Sequence, residues 1–208
     1  MAGFALAALG GAAPASAAVI FTFTPGAASP GAGYTIINPF NDATGIVGSD
    51  YLIKTPPADA DGSPPANSIP SGTPYLSVLA GGFATITFDA PVSAFQFDWG
   101  SIDTYNTLAI NSTGADPIFI PGTYFIIPAY CVRVSPGTNG LFNVSGTAGE
   151  QFTSVTFSSS SNSFEVDNLA SLSAVPEPAT WGMMILGFGA VGSMVRSSRR
   201  RNAQAFYA

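Results

Sequence analysis

Short β-type runs separated by Pro and Gly are the feature that most constrains the fold of this chain. Between residues 19 and 173 no apolar stripe recurs with the period of a helix. In residues 83–88 (FATITF) and 94–99 (AFQFDW), by contrast, side chains of one character recur at every second position. Such alternation places successive side chains on opposite faces of a strand, so these runs predict half-buried β-strands.

The number and spacing of these runs predict an all-β fold. About nine short strands with frequent turn residues are typical of an antiparallel β-sandwich, here of jelly-roll-like type. The sixteen Phe residues are expected to fill its core. In residues 152–157 the alternation shifts between Phe152 and Val155, which predicts a β-bulge near Ser154.

The charge content narrows the class of protein. Charged residues make up only 9% of the chain, against about 25% in ordinary soluble domains, a composition typical of extracellular β-proteins. Between Val19 and Val175 the sequence has eleven acidic residues and two basic ones, Lys54 and Arg133. Phosphate binding needs clustered Lys and Arg, so we expect no nucleic-acid partner. The chain also lacks His, the commonest general base and metal ligand.

The first residues have the pattern of a secretory signal peptide. A small apolar run leads to Ala15-Ser16-Ala17, an A-x-A cleavage pattern, so residues 1–18 are predicted to be removed on export. No Lys or Arg precedes the run, which indicates that the true start of the signal peptide lies upstream. The alternative is a buried Ala-rich segment.

An apolar run and a basic cluster follow one another near the C-terminus. Trp181 to Val195 is fifteen residues without a charge. Four of the six basic residues come next: Arg196, Arg199, Arg200 and Arg201. As a helix the run would span about 22 Å, short for a hydrocarbon core of about 30 Å unless Trp181 and Arg196 anchor its ends. We predict a single C-terminal transmembrane-type helix, with a buried helix of the globular domain as the alternative.

The basic cluster also predicts an orientation. Arg side chains behind an apolar run act as a stop-transfer signal and stay on the cytoplasmic side. Residues 202–208 would then be a cytoplasmic tail and residues 19–173 an ectodomain. The signal peptide independently predicts the same orientation.

The order of these parts resembles a known sorting signal. Pro176-Glu177-Pro178, then Trp181, a short Gly-rich apolar helix and the Arg cluster resemble the PEP-CTERM sorting signal of bacterial surface proteins, over residues 174–201. The position of Trp181 resembles the PEPxxW variant, which usually has Ala where this chain has Gly182. The resemblance implies export, membrane anchoring before processing, and cleavage near Pro-Glu-Pro by an exosortase, a membrane-embedded cysteine peptidase. The two prolines suit this role, because they keep the segment extended.

The resemblance further implies a function for the mature protein. It indicates a cell-surface or extracellular protein associated with extracellular polysaccharide or a biofilm matrix. Separately, we expect no enzymatic activity. A secreted carbohydrate-binding module is the alternative. A glycoside hydrolase is a third class and would need two carboxylates facing each other across a groove. Asp98 and Glu165 can be nominated for it, although nothing in the sequence brings them together.

Two stretches contain candidate ligands for a metal ion or a sugar. Asp103 and Asn106 follow one predicted strand and Asp167 lies on the last, so a structural Ca²⁺ held by these hard oxygen ligands is one hypothesis. Turn chemistry is the simpler explanation of Asp103 and Asn106. A sugar site with Trp99 or Tyr105 as a stacking platform is a further alternative.

Two other features are expected to be structural. Residues 55–74 are rich in Pro and are expected to form a solvated loop, because Asp59, Asp61 and Gly62 do not match the spacing of an EF-hand. Cys131 is the single Cys and lies in an apolar run, so we expect its side chain to be buried and to pack in the core without a chemical role.

Overall fold

The computed structural model describes residues 19–124, 138–147, 149–173, 182–192 and 196. It divides the chain into two units, Met1–Ser173 and Ala174–Ala208. The strands of the first unit are β1 Val19–Pro25, β2 Thr35–Asn38, β3 Ile46–Lys54, β4 Tyr75–Gly100, β5 Asn106–Ser112, β6 Ile118–Pro121, β7 Gly140–Gly146, β8 Phe152–Ser159 and β9 Phe164–Ser173. A single 3₁₀ turn, Gly122–Tyr124, follows β6.

All nine strands are hydrogen-bonded into one curled antiparallel sheet. Its main path runs β1-β7-β4-β8-β5-β6, while β3 pairs with β4, and β9 pairs with both β2 and β4. The prediction of an antiparallel all-β fold is confirmed. A β-sandwich in its simplest form has two separate sheets. Here all nine strands belong to one sheet, because the 26-residue β4 pairs with several strands along its length.

β4 can connect so many strands because its two halves pair with mostly different neighbours. Its first half pairs with β3 and β8, its second half, from Ala94 to Trp99, pairs with β7, and segments of both halves pair with β9. The sequence shows three separate runs here, because Gly81, Gly82 and Pro91 interrupt the alternation without ending the strand.

The predicted bulge in β8 is confirmed within one residue. Asn111 of β5 lies opposite Ser154, but the next residue, Ser112, lies opposite Phe152. Thr153 is therefore the extra residue of the bulge, which explains why the alternation shifts at this point.

Aromatic side chains form the centre of the core, as the alternation predicts. Trp99 is fully buried and stacks on Phe164 of β9 at a centroid distance of 4.6 Å. Phe97 contacts Phe157 of β8 edge to face at 5.0 Å. Such pairs contribute about 0.5–1.5 kcal/mol each beyond the area they bury. The core therefore ties the second half of β4 to both β8 and β9.

The second unit contains a short helix over residues 182–192, and Arg196 is also helical. Within the described part of the chain, no helix combines the length and hydropathy needed to cross a membrane. The predicted transmembrane-type helix over Trp181 to Val195 is therefore not confirmed by the described residues.

Several predictions concern residues outside the described ranges. These are the signal peptide (1–18), Cys131, the motif residues Pro176, Glu177, Pro178 and Trp181, the basic residues Arg199, Arg200 and Arg201, and the tail 202–208.

Candidate functional site

A polar layer lies on the face of β4 and β9 that points away from the aromatic core. β9 is flanked by β4 on both sides, since residues 76–78 pair with one edge of it and residues 92–100 with the other. Trp99 and Val166 are opposite each other and fully buried in the core. The residues that alternate with them on each strand therefore point to the opposite face.

Three acidic side chains lie on this second face, and all three are buried. Asp98 of β4 lies opposite Asp167 of β9, and Glu165 lies two positions before Asp167 on the same strand. Their exposed fractions are 0%, 1% and 4%. Buried carboxylates without basic partners are rare in proteins, so this layer is the first candidate for a functional site.

The Pro-rich segment of residues 55–74 covers these acids. Its backbone N–H at Ser63 donates to Glu165 Oε1 at 3.1 Å, and the Thr73 hydroxyl donates to Asp167 Oδ2 at 3.4 Å. A Cβ built on Gly62 would lie 2.6 Å from the Ser77 hydroxyl oxygen, so this loop residue packs too closely on the sheet for a side chain. The expectation of a solvated loop is wrong for this part, because the loop shields a polar face of the sheet.

Asp98 has the most complete hydrogen-bonding shell of the three acids. Its Oδ1 accepts from the Ser29 backbone N–H at 2.7 Å and from the Asn67 amide at 2.9 Å. Its Oδ2 accepts from the Asn168 amide at 3.0 Å. Asn168 lies at an irregularity in the β9 register and has a φ of +50°, a conformation that Asn tolerates better than most residues. This bulge brings the Asn168 amide to Asp98.

Burial raises the pKa of each of these carboxyl groups. It raises the pKa of Asp98 to about 6 against the opposing effect of the Asn168 and Ser29 hydrogen bonds. Burial, with a smaller contribution from the charge of Asp98, raises the pKa of Asp167 to about 6. It raises the pKa of Glu165 to about 7 although Ser163 and Ser63 donate to this carboxylate.

These shifts have a definite sign for stability. The folded protein holds these protons more tightly than the unfolded chain, in which the carboxyl pKa values are about 4. The stabilisation from the protonated groups is therefore complete below about pH 4 and is lost as the pH rises through 6 to 7. At neutral pH the layer carries negative charge that no basic side chain among the described residues pairs with.

The three residues predicted to hold calcium lie in two places. Asp103 lies in the turn after β4 and Asn106 begins β5, and the Asn106 backbone N–H donates to the Asp103 carbonyl at 3.2 Å. The Asn106 side-chain oxygen accepts from Ser159 at 3.0 Å. These contacts fit the turn-chemistry alternative, whereas Asp167 lies opposite Asp98. In the described ranges no three His, Cys, Asp or Glu side chains are grouped so that they could hold a metal ion.

The two aromatic candidates for sugar stacking differ in accessibility. Trp99 is fully buried, so its proposed role as a stacking platform is wrong. Tyr105 is partly exposed and lines a shallow groove with a cavity volume of about 350 Å³. The other lining residues are small or carry hydroxyl groups: Gly81, Gly82, Thr104, Thr107, Ser158, Ser159 and Ser160.

The pair nominated for glycoside hydrolysis does not have the geometry that was required of it. Asp98 and Glu165 lie on neighbouring strands of one face, and both are buried beneath the loop. They therefore do not face each other across an open groove.

Sequence reasoning missed the pairing of Asp98 with Asp167 and the covering role of the loop. The alternation in residues 94–99 places Asp98 on the other face of β4 from the aromatic residues, and this pattern could have indicated a polar face. The partner strand could not be found from it, because the two residues are 69 positions apart and the register has an irregularity next to this pair.

The C-terminal segment is the other candidate site. A protein-family model, described as the PEP-CTERM protein-sorting motif, matches residues 174–201. The chain carries a PEP-CTERM sorting motif. The PEP-CTERM motif spans the short helix of the second unit, in which the described large side chains are exposed, Met183 and Phe188 by more than 70%.

Comparison with solved structures finds distant likenesses. The catalytic domain of a GH87 α-1,3-glucanase in complex with tetrasaccharides is 15% identical, with a TM-score of 0.37 over 70% of this chain and 29% of that one. A GH87 α-1,3-glucanase from Streptomyces thermodiastaticus is 14% identical, with a TM-score of 0.33 over 65% and 28%. A family GH115 4-O-methyl-α-glucuronidase is 12% identical, with a TM-score of 0.31 over 50% and 15%. This chain thus spans less than a third of each, and no curated protein matches it.

Proposed function

We propose that this chain is an exported bacterial surface or matrix protein whose C-terminal segment is a processing signal. The match of residues 174–201 to the PEP-CTERM motif carries this proposal. In it, the chain is held at the inner membrane before processing, and an exosortase recognises Pro176-Glu177-Pro178 and removes the helix and the basic cluster on its C-terminal side. The β-rich unit is then the part delivered to the cell surface or released.

The side chains of the C-terminal helix support membrane attachment before processing. Met183, Ile185, Leu186, Phe188 and Val191 are all more than half exposed, and no acidic residue lies among them. A helix that is apolar all round is stable in water only if it is covered, and a bilayer supplies such cover. The neighbouring Arg196 is exposed and can reach lipid headgroups.

Intact-mass measurement of the protein from its own host tests the processing step. We expect the mature form to lack the C-terminal residues Phe206, Tyr207 and Ala208 in a strain that has its exosortase. The same strain without exosortase is the control and should retain them. Mature surface protein that still carries these three residues in the exosortase-positive strain would show that the motif is not used for cleavage.

Association of the β-rich unit with extracellular polysaccharide is the finer part of the proposal. The sparsely charged sequence of this unit supports an extracellular setting. The groove at Tyr105 favours the alternative that the unit is a carbohydrate-binding module. An aromatic ring beside several hydroxyl groups offers both stacking and hydrogen bonding to a sugar.

Substitution of Tyr105 tests this alternative. In co-sedimentation with the polysaccharide of the host, Tyr105→Ala should weaken binding roughly ten-fold, the loss expected for removal of an anchoring aromatic side chain. Tyr105→Phe keeps the ring but loses the hydroxyl bonds to Asp103 and Asn162. Tyr105→Phe should bind like the wild type. Wild-type binding by Tyr105→Ala would exclude the groove as the sugar site.

A further inference from the structure

The opposed pair Asp98 and Asp167 is an unusual arrangement for a buried sheet face. Residues directly opposite on antiparallel strands have Cβ atoms about 4.5–5.5 Å apart, and like charges in such a pair are destabilising. Among the described residues of the β-rich unit, Lys54 is the one basic side chain, and its ion pair is with Asp59 at 2.5 Å. The two carboxylates are thus not neutralised by Lys54.

Two neutral side chains of the covering loop, Asn67 and Ser68, lie beside this pair. The Asn67 amide nitrogen donates to Asp98 and to the Ala27 carbonyl, which leaves the Asn67 Oδ1 buried and without a hydrogen bond. The Ser68 side chain is more than nine-tenths buried, and its hydroxyl also has no well-formed hydrogen bond. The Ser68 hydroxyl nevertheless lowers the pKa of both Asp98 and Asp167, so it is directed towards both carboxylates.

We propose that Asp98 and Asp167 of the sheet, together with Asn67 and Ser68 of the covering loop, bind one calcium ion. The donors come from two sides, carboxylates from the strands and neutral oxygens from the loop. An ion between them would neutralise the opposed carboxylates and attach the loop to the sheet. It would also give a partner to the two buried oxygens that lack one.

The donor set indicates the kind of metal. All four side chains offer oxygen, and the chain contains no His and only one Cys, so soft or borderline metals lack their preferred ligands. Ca²⁺ accepts six to eight oxygens in irregular geometry, and backbone carbonyls and water can complete its shell. Mg²⁺ demands a nearly regular octahedron and keeps several waters, which suits a buried site less well. Two carboxylates give an expected Kd on the order of 10⁻⁴ M, as in extracellular calcium modules.

Thermal unfolding of the full-length chain, purified in a mild detergent and stripped with EGTA, tests the proposal. Addition of 5 mM Ca²⁺ should raise the Tm by about 5–9 °C, because the ion binds only the folded state, whereas 5 mM Mg²⁺ should have little effect. Calorimetric titration should give one Ca²⁺ per chain. An unchanged Tm in Ca²⁺ would overturn the proposal.

Matched variants locate the ion. Asp98→Asn and Asp167→Asn should each abolish the Ca²⁺ shift, although in EGTA the loss of one of two like charges should leave Asp167→Asn at least as stable as the wild type. Asp116→Asn removes the same charge from an exposed turn and should keep the full shift. Asp103→Asn should also keep it. A shift that persists in both Asp98→Asn and Asp167→Asn, or that is lost in Asp103→Asn, would place the ion elsewhere and overturn the proposal.

Ser68→Ala gives an independent measurement with little risk to folding. The substitution removes a single hydroxyl that has no well-formed hydrogen bond. The calorimetric Kd for Ca²⁺ should increase several-fold if this oxygen is a ligand. An unchanged Kd would exclude Ser68 from the ligand set and contradict the proposal as stated.

Discussion

Replacement of Trp99 by alanine is expected to reduce the free energy of unfolding by about 3–5 kcal/mol, the range for large-to-small changes of buried aromatic residues. Trp99 is fully buried and has ring contacts with Phe97, Phe142 and Phe164, on three different strands. Its removal would leave a cavity where β4, β7 and β9 meet. Since small domains are stable by only about 5–15 kcal/mol, this one change should remove a large fraction of the total.

Urea denaturation measures this effect. It is monitored by the circular dichroism of the backbone, since the fluorescence of Trp99 is lost in the variant. The midpoint should fall by roughly 2 M at the slopes usual for small proteins. Phe119→Ala is the matched control, because Phe119 is also a large apolar residue on a strand but is 65% exposed, and its loss should change stability by less than about 1 kcal/mol. Equal losses in the two variants would mean that Trp99 is not at the centre of the core.

Replacement by Ser of the four basic residues that follow the apolar run should change the localisation and processing of the chain more than any substitution in the β-rich unit. The changed residues are Arg196, Arg199, Arg200 and Arg201. Each Arg costs about 2.5–3.5 kcal/mol at the bilayer centre, so together they oppose passage of the tail through the membrane. The apolar run should contribute less than the Arg cluster to keeping the tail in the membrane. It is short and contains four glycines, each costing about 1 kcal/mol relative to Ala in an aqueous helix. The variant should be secreted with its tail uncut.

Pro176→Ala is the counterpart that separates retention from recognition. This variant keeps the apolar run and the Arg cluster, so it should remain in the membrane fraction but be poorly cleaved, because the cleavage segment has lost a residue that keeps it extended. Cell fractionation and immunoblotting of both variants in the exosortase-positive host distinguish the two roles. Normal cleavage of a membrane-held Arg-less variant would show that the cluster is not what retains the chain.

The sequence was sufficient for the strands but not for their connections. The alternation around Phe95, Phe97 and Trp99 is local, and it predicts correctly which face meets the core. Whether three such runs are three strands or one depends on the neighbours that pair with them. β4 continues through Gly81 and Gly82 because β3 pairs with it on both sides of this point. That information lies in other parts of the chain.

The polar layer was harder to predict for the same reason. Asp98 and Asp167 look like ordinary surface residues of two strands, and the loop that buries them looks soluble from its composition. Their burial results from long-range pairing and from hydrogen bonds such as that of Asn67 with Asp98, which no local pattern indicates. The PEP-CTERM motif is the opposite case, since its parts follow one another along the chain and are recognisable without any structure.

The position of β9 has a consequence for the timing of export. β9 is the last strand among the described residues, yet it fills the space between two segments of β4 and carries Phe164 and Val166 of the core. During N-to-C translocation the preceding eight strands therefore reach the outside before the strand that completes their sheet. The unit can close only after Ser173 has emerged, when the cleavage segment, which begins three residues later, has arrived as well. In the proposed processing, retention of the tail in the membrane would give this non-local β-topology, a kind that folds slowly, time to form before the chain is released.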